Sequence, residues 1–134
     1  MEISMHKGKN RSWTHWFEIP ASNYDRAKRF YETIYQMDIE TVEMGPYKMG
    51  IIPHNDVGCA IISGEGYDDA PPPGGPNGPI VYMDANPDLD IILNRIENAG
   101  GKIIKPKKAI SEDHEFLTTF LDSEGNRMAL HSLK

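Results

Sequence analysis

One cysteine is all that the 134 residues contain. Cys59 alone excludes an internal disulfide framework and suits a reducing compartment. No apolar run approaches the roughly 20 residues that a helical membrane span needs. Positive charge is also scarce: 14 Lys and Arg stand against 20 Asp and Glu, a formal net charge of -6. Nowhere do the cations gather with interleaved aromatics, which argues against nucleic acid or an anionic membrane surface as partner. The opening MEISMHKGKNRS is basic but lacks the apolar centre of a secretory signal, so residues 1–12 are expected to be a polar tail and the cytoplasm the location. A hydrophobic content of 39% and a charged content of 25% fit one soluble globular domain with a real core.

Trp13 to Pro20 alternates with period two. Trp16, Glu18 and Pro20 fall on one face, and His15, Phe17 and Ile19 on the other. The aromatic and β-branched content predicts a strand. Ser22 stands where a helix cap belongs, and Asp25 three residues on completes an S-x-x-D pattern. Tyr24, Ala27, Tyr31 and Ile34 then recur at helical spacing, widened by Phe30, while Asp25, Lys28, Arg29 and Glu32 fill the polar side. Three strand-like runs follow: Ile39–Met44, Tyr47–Pro53 and Val57–Ser63. Gly45-Pro46 and Asn55-Asp56 separate them as turn dipeptides. Residues 64–78 hold five Gly and four Pro, a composition that predicts an extended linker.

After the linker the pattern restarts. Pro79–Ala85 reads as a strand, and Asn86-Pro87 as an N-cap with Pro in the first turn. Leu89, Ile92, Leu93 and Ile96 form a helical stripe that stops at Gly100-Gly101. Lys102–Ile110, Phe116–Leu121 and Arg127–Leu133 read as strands, the last two joined by a turn over 122–125. Both halves are therefore β-α-β-β-β, and their helical stripes superpose at an offset of 65 residues. Tyr24 falls on Leu89, Ala27 on Ile92 and Tyr31 on Ile96. Such a repeat predicts an α+β fold built from two copies of one motif. The modules are 13–63 and 79–134, joined by the linker 64–78. Each sheet has to bury one face beneath its helix; the other two faces, set side by side, enclose a concave cavity, the default ligand site.

FEIPASNYDRAKRFYETIY, the Gly-rich linker, LNRIENAGGKI and LDSEGNRMALHS together resemble the glyoxalase/bleomycin-resistance/extradiol-dioxygenase (vicinal oxygen chelate) superfamily. The resemblance spans roughly Trp13 to Ser132 and rests on the order and spacing of four motifs, none specific alone. It is to small glyoxalase-like proteins more than to the well-studied lyase. It implies paired βαβββ modules and a homodimer with cavities shared between modules or subunits. In many members a divalent metal is held by His, Gln or Glu. The positions that match those ligands here are Trp16, about Ile61, Pro79–Val81 and Ala129. None supplies an imidazole, carboxylate or thiolate. A one-residue shift brings His15 to the first position only, and it turns that strand over. No metal and no cofactor are therefore expected.

Several residues are candidates for a site. Glu18 shares a face with Trp16 and could act as general base or hold a cation; the plainer role is a structural partner for Arg127 or a backbone amide. Arg127, Ala129 and His131 form one row of the last strand, and Glu18 with His131 is the candidate acid–base pair. Cys59 and Ile61, by alternation with Ser63, are expected to face the cavity. Nothing local would activate the Cys59 thiol, which reads as a small hydrophobe. Trp16, Val81 and Met83 are expected to form an apolar wall, and plain core is the alternative. His15 is expected beneath the helix or at an interface, and His54 at the cavity mouth. His6 and His114 read as solvated, and Tyr67, Asp68 and Asp69 as connector or lid.

Three functions follow. A homodimer could bind a small, partly apolar ligand without metal. It could be an enzyme of the same superfamily, a lyase, isomerase or dioxygenase type, that is metal-independent through Glu18 and His131 or uses a non-standard metal site. Or it could be a structural module whose cavity is filled by its own side chains.

Overall fold

The computed structural model describes residues 11, 13–64, 79–110 and 115–134. The expected tail apart from Arg11, the linker's Tyr67, Asp68 and Asp69, and His6 and His114 lie outside the described residues. The first module runs β1 (Trp16–Pro20), α1 (Tyr24–Tyr35), β2 (Glu40–Met44), β3 (Tyr47–Ile52) and β4 (Gly58–Gly64). The second runs β5 (Val81–Asp84), α2 (Leu89–Ala99), β6 (Lys102–Ala109), β7 (Phe116–Leu121) and β8 (Arg127–Ser132). Two four-stranded sheets result, ordered β1-β4-β3-β2 and β5-β8-β7-β6. In each, the first strand runs parallel to the last and the other neighbours are antiparallel. This is the α+β architecture of two βαβββ modules that the repeat predicts.

The helices form where the stripes lie. Tyr24, Ala27, Phe30, Tyr31 and Ile34 are buried on α1, and Leu89, Ile92 and Ile96 on α2. Both caps differ from expectation. On α1 the N-cap is Asn23, whose side chain accepts from the Arg26 amide at 3.0 Å. Ser22 is displaced from that role because its hydroxyl donates to Glu124 at 3.1 Å. On α2 the N-cap is Asp88, accepting from the Asp90 amide at 2.9 Å. Asn86 instead accepts from the Leu133 amide at 2.8 Å, across a cis bond to Pro87. Gly100 closes α2 in the left-handed region at φ 109, where glycine avoids the Cβ penalty.

The modules meet through their helix-bearing sides. Helices α1 and α2 pack on one another, and side chains of both join one hydrophobic core with Phe120, Met128 and Leu130. Phe30 of α1 lies 6.2 Å, centroid to centroid, from Phe120 of β7, which makes the interface a true core contact. A polar clamp reinforces it. The β7–β8 turn places the Glu124 carboxylate at the start of α1, where it accepts from the Asn23 amide at 2.8 Å and from the Arg26 guanidinium at 2.6 and 3.0 Å. Those hydrogen bonds hold its pKa down at about 2 against the opposing effect of burial. Beside it Asp122 accepts the Tyr31 hydroxyl at 2.7 Å, and Asn126 donates to the Pro20 carbonyl at 2.8 Å.

Because the helix-bearing sides are the ones that meet, the other face of each sheet turns away from the shared core. Strands β1 and β5 are edge strands that pair on one side only. Among the described residues no helix is long and apolar enough to cross a membrane.

Candidate functional site

Strand register decides which side chains share each open face, because residues paired across a ladder point the same way. In the first sheet Trp16 pairs Gly58 and Glu18 pairs Ala60, while Phe17 pairs Cys59 and Ile19 pairs Ile61. Ile19, Cys59 and Ile61 belong to the core under α1. Trp16 and Glu18 are therefore on the open face, as their alternation predicts.

Around Trp16 the structure builds a small aromatic corner. The indole N–H donates to the Glu18 carboxylate at 3.4 Å. The His54 ring stands edge-to-face on the indole at 5.8 Å and 79°. His54 Nδ1 lies 2.9 Å from the Ile52 carbonyl oxygen. A carbonyl can only accept, so Nδ1 donates in this contact. Gly58 permits this packing: a Cβ there would fall 2.7 Å from both rings. Trp16 keeps 40% of its surface exposed, so the corner is open to a visitor.

On the second sheet Arg127, Ala129 and His131 share the open face, opposite Met128 and Leu130 in the core. Tyr82 pairs Ala129 and Asp84 pairs His131. Neither Tyr82 nor Asp84 is among the expected site residues, although the alternation Val-Tyr-Met-Asp already puts its two polar side chains on one side. His131 Nε2 lies 3.2 Å from Glu115 Oε1. The expected pairing of His131 with Glu18 is therefore not made within the chain: the two stand on different sheets, and the ring meets Glu115.

Four expected wall residues are on the other side. Cys59 and Ile61 face α1, and Val81 and Met83 face the core of the second module. The reason is parity. Strand β4 lies between two neighbours and is apolar throughout, so Cys59, Ala60, Ile61 and Ile62 are all buried and no alternation marks which of them faces out. The short β5 does alternate, and its apolar pair goes to the core as hydrophobicity dictates. Burial pushes the Cys59 thiol up to about 11, which keeps it protonated and unreactive near neutral pH. His15 is exposed ahead of β1 and does not pack beneath the helix.

A family model described as the Glyoxalase/Bleomycin resistance protein/Dioxygenase superfamily matches residues 13–130. The chain belongs to this superfamily. Among solved structures, hypothetical protein SA1046 from S. aureus aligns with a TM-score of 0.68 at 15% identity, over 95% of this chain and 98% of that one. A glyoxalase/bleomycin resistance protein/dioxygenase family enzyme from Burkholderia phytofirmans PsJN aligns at 0.67 and 12%, over 90% and 98%. Glyoxalase I from Zea mays aligns at 0.66 and 14%, over 97% of this chain and 47% of its own length, so the chain spans about half of that protein. At such identities these likenesses speak for the fold. No protein of curated function matches the sequence.

The superfamily's metal can be tested against the donors present. Trp16 and Ala129 lie on the open faces, Ile61 and Val81 on the helix sides, and neither these nor Pro79 and Ile80 has a donor suited to a divalent ion. Among the described residues no three His, Cys, Asp or Glu side chains converge as a metal-holding group. The residues at these positions do not fit the metal.

Proposed function

We propose that this member of the glyoxalase superfamily binds a small, partly apolar molecule and does so without a metal at the superfamily's usual positions. The observation that carries the reading is Trp16. It stands where the resemblance puts the first metal ligand, on an open face, held by Glu18 and His54 and still 40% exposed. An aromatic plane with a carboxylate acceptor and an imidazole beside it suits a flat or apolar ligand that carries a donor group.

A second copy of the chain completes the cavity in this reading. Strand β1 and strand β5 each have an unpaired edge, Tyr82 is 53% exposed, and the open faces carry opposite charge. Glu18 and Glu40 lie on the first, where no described residue is a lysine or arginine, while Arg127 and several lysines lie on the second. A twofold pairing sets unlike faces together.

Ligand screening with Trp13→Phe protein, which leaves Trp16 as the reporter, tests the reading. Small aromatic and heteroaromatic compounds are expected to quench Trp16 and raise the melting temperature equally with and without EDTA. No quenching and no thermal shift at any soluble concentration would sink it. A stoichiometric divalent metal in the purified protein would also overturn it.

A further inference from the structure

Strand β6, KIIKPKKA, contains four lysines. Lys107 turns to the helix side, with its ammonium 3.3 Å from Asp88, 3.0 Å from Asp90 and 4.7 Å from the centre of the Phe116 ring. The other three are placed differently. Lys102, Lys105 and Lys108 are three apart, an odd spacing that in a regular strand would throw Lys105 onto the opposite face from its neighbours. Two register shifts prevent this, one between Ile103 and Lys105 and one between Lys105 and Lys108. Each inserts an extra residue and returns the next lysine to the open face.

The consequence is a lysine at the end of three successive rungs. Lys102 leads to Leu121 and Arg127; Lys105 to Thr119, Ala129 and Tyr82; Lys108 to Leu117, His131 and Asp84. The middle rung has a low floor, since Thr119 and the fully buried Ala129 are small. None of the three lysines forms an ion pair with a described residue, whereas Lys107 on the same strand is paired. Among the described residues the carboxylates on this face are Asp84 and Glu115, and Glu115 is already against His131.

From this arrangement we infer that the open face of the second sheet is an oxyanion subsite. It takes the carboxylate, phosphate or sulfonate of an organic ligand over Thr119 and Ala129, with Lys102, Lys105 and Lys108 as counter-charges. The inference rests on the ligand-binding reading above and adds the charge of the ligand to it. The apolar part lies toward Tyr82 and the facing sheet, and the anionic end toward β6. Lysines and bulges on an edge strand also hinder edge-to-edge aggregation, but that role does not require three lysines on one shared face.

The test uses two fluorescent probes that share one ring system: anilinonaphthalene sulfonate and its uncharged parent, phenylnaphthylamine. The dimer-competent full chain is expected to bind the sulfonate roughly tenfold more tightly than the parent, with the advantage shrinking as salt rises. The K102Q/K105Q/K108Q variant is expected to lose that advantage and keep the parent's affinity; the corresponding triple arginine variant keeps both. Displacement by benzoate or by phenyl phosphate then tells a carboxylate from a phosphoryl preference, and either supports the subsite. Equal affinity for the two probes, or a glutamine variant that binds the sulfonate like the parent protein, overturns the inference while the binding reading stands. Binding of neither probe overturns both. A glutamine variant that aggregates but keeps its sulfonate affinity assigns the row to edge protection and overturns the subsite.

Discussion

At Gly58 a single missing methyl group holds the aromatic corner together. The Cβ of an alanine would press into the His54 and Trp16 rings at 2.7 Å, and both side chains would have to move. G58A is therefore expected to cost about 1 kcal/mol and to shift the Trp16 emission, measured by denaturant unfolding and fluorescence. Cys59, the next residue, is directed the other way, into the core under α1. With its pKa raised from 9.0 to about 11, its thiolate fraction near pH 8 falls roughly a hundredfold. Ellman's reagent is expected to label it about that much more slowly in native protein than in urea. A labelling rate unchanged by urea would show that the side chain is not buried. One residue of register separates the open corner from the closed core. That is why Trp16 and Glu18 were legible from alternation while the direction of Cys59 and Ile61 was not.

Between elements, the β7–β8 turn is what joins the modules outside the apolar core. Glu124 has a fully buried side chain and contacts Ser22, Asn23 and Arg26. E124Q keeps its shape and removes the charge, and is expected to cost about 2 kcal/mol. The sign of the pH effect follows from the lowered pKa. The carboxylate contributes its full stability above its unfolded value near 4.5, and the contribution is lost as pH falls toward the folded value of about 2. Wild-type stability is thus expected to fall with acid across that window, and E124Q to show a shallower fall, read by urea unfolding at a series of pH values. Y31F removes the 2.7 Å bond to Asp122 and is expected to cost about 1 kcal/mol. The Asp122 carboxylate still accepts from the amides of Glu124 and Asn126, which limits the loss. Sequence pattern located this turn but assigned it no partner, because its contacts join residues about a hundred positions apart.

For the whole molecule, the back-to-back arrangement of helices leaves two charged open faces and the open edges of β1, β2, β5 and β6. A dimer is expected in solution, with a mass about twice the 15.1 kDa chain, measured by light scattering after size exclusion. Placing a charge on the β1 edge face through W16D is expected to weaken it, and a monomeric wild type at high micromolar concentration would remove the second copy from the proposed cavity.

Periodicity by itself determined the two βαβββ modules, their helices and the face of β1 and β8 that turns outward, since each follows from where apolar side chains recur along one short segment. Helix caps, the direction of the doubly buried β4 and the meeting of His131 with Glu115 were decided only by the tertiary structure. So were the bulges that align Lys102, Lys105 and Lys108. A cap goes to whichever side chain is not taken by a distant partner, as Glu124 takes Ser22. A bulge is a property of two strands together, and no pattern within one of them records it.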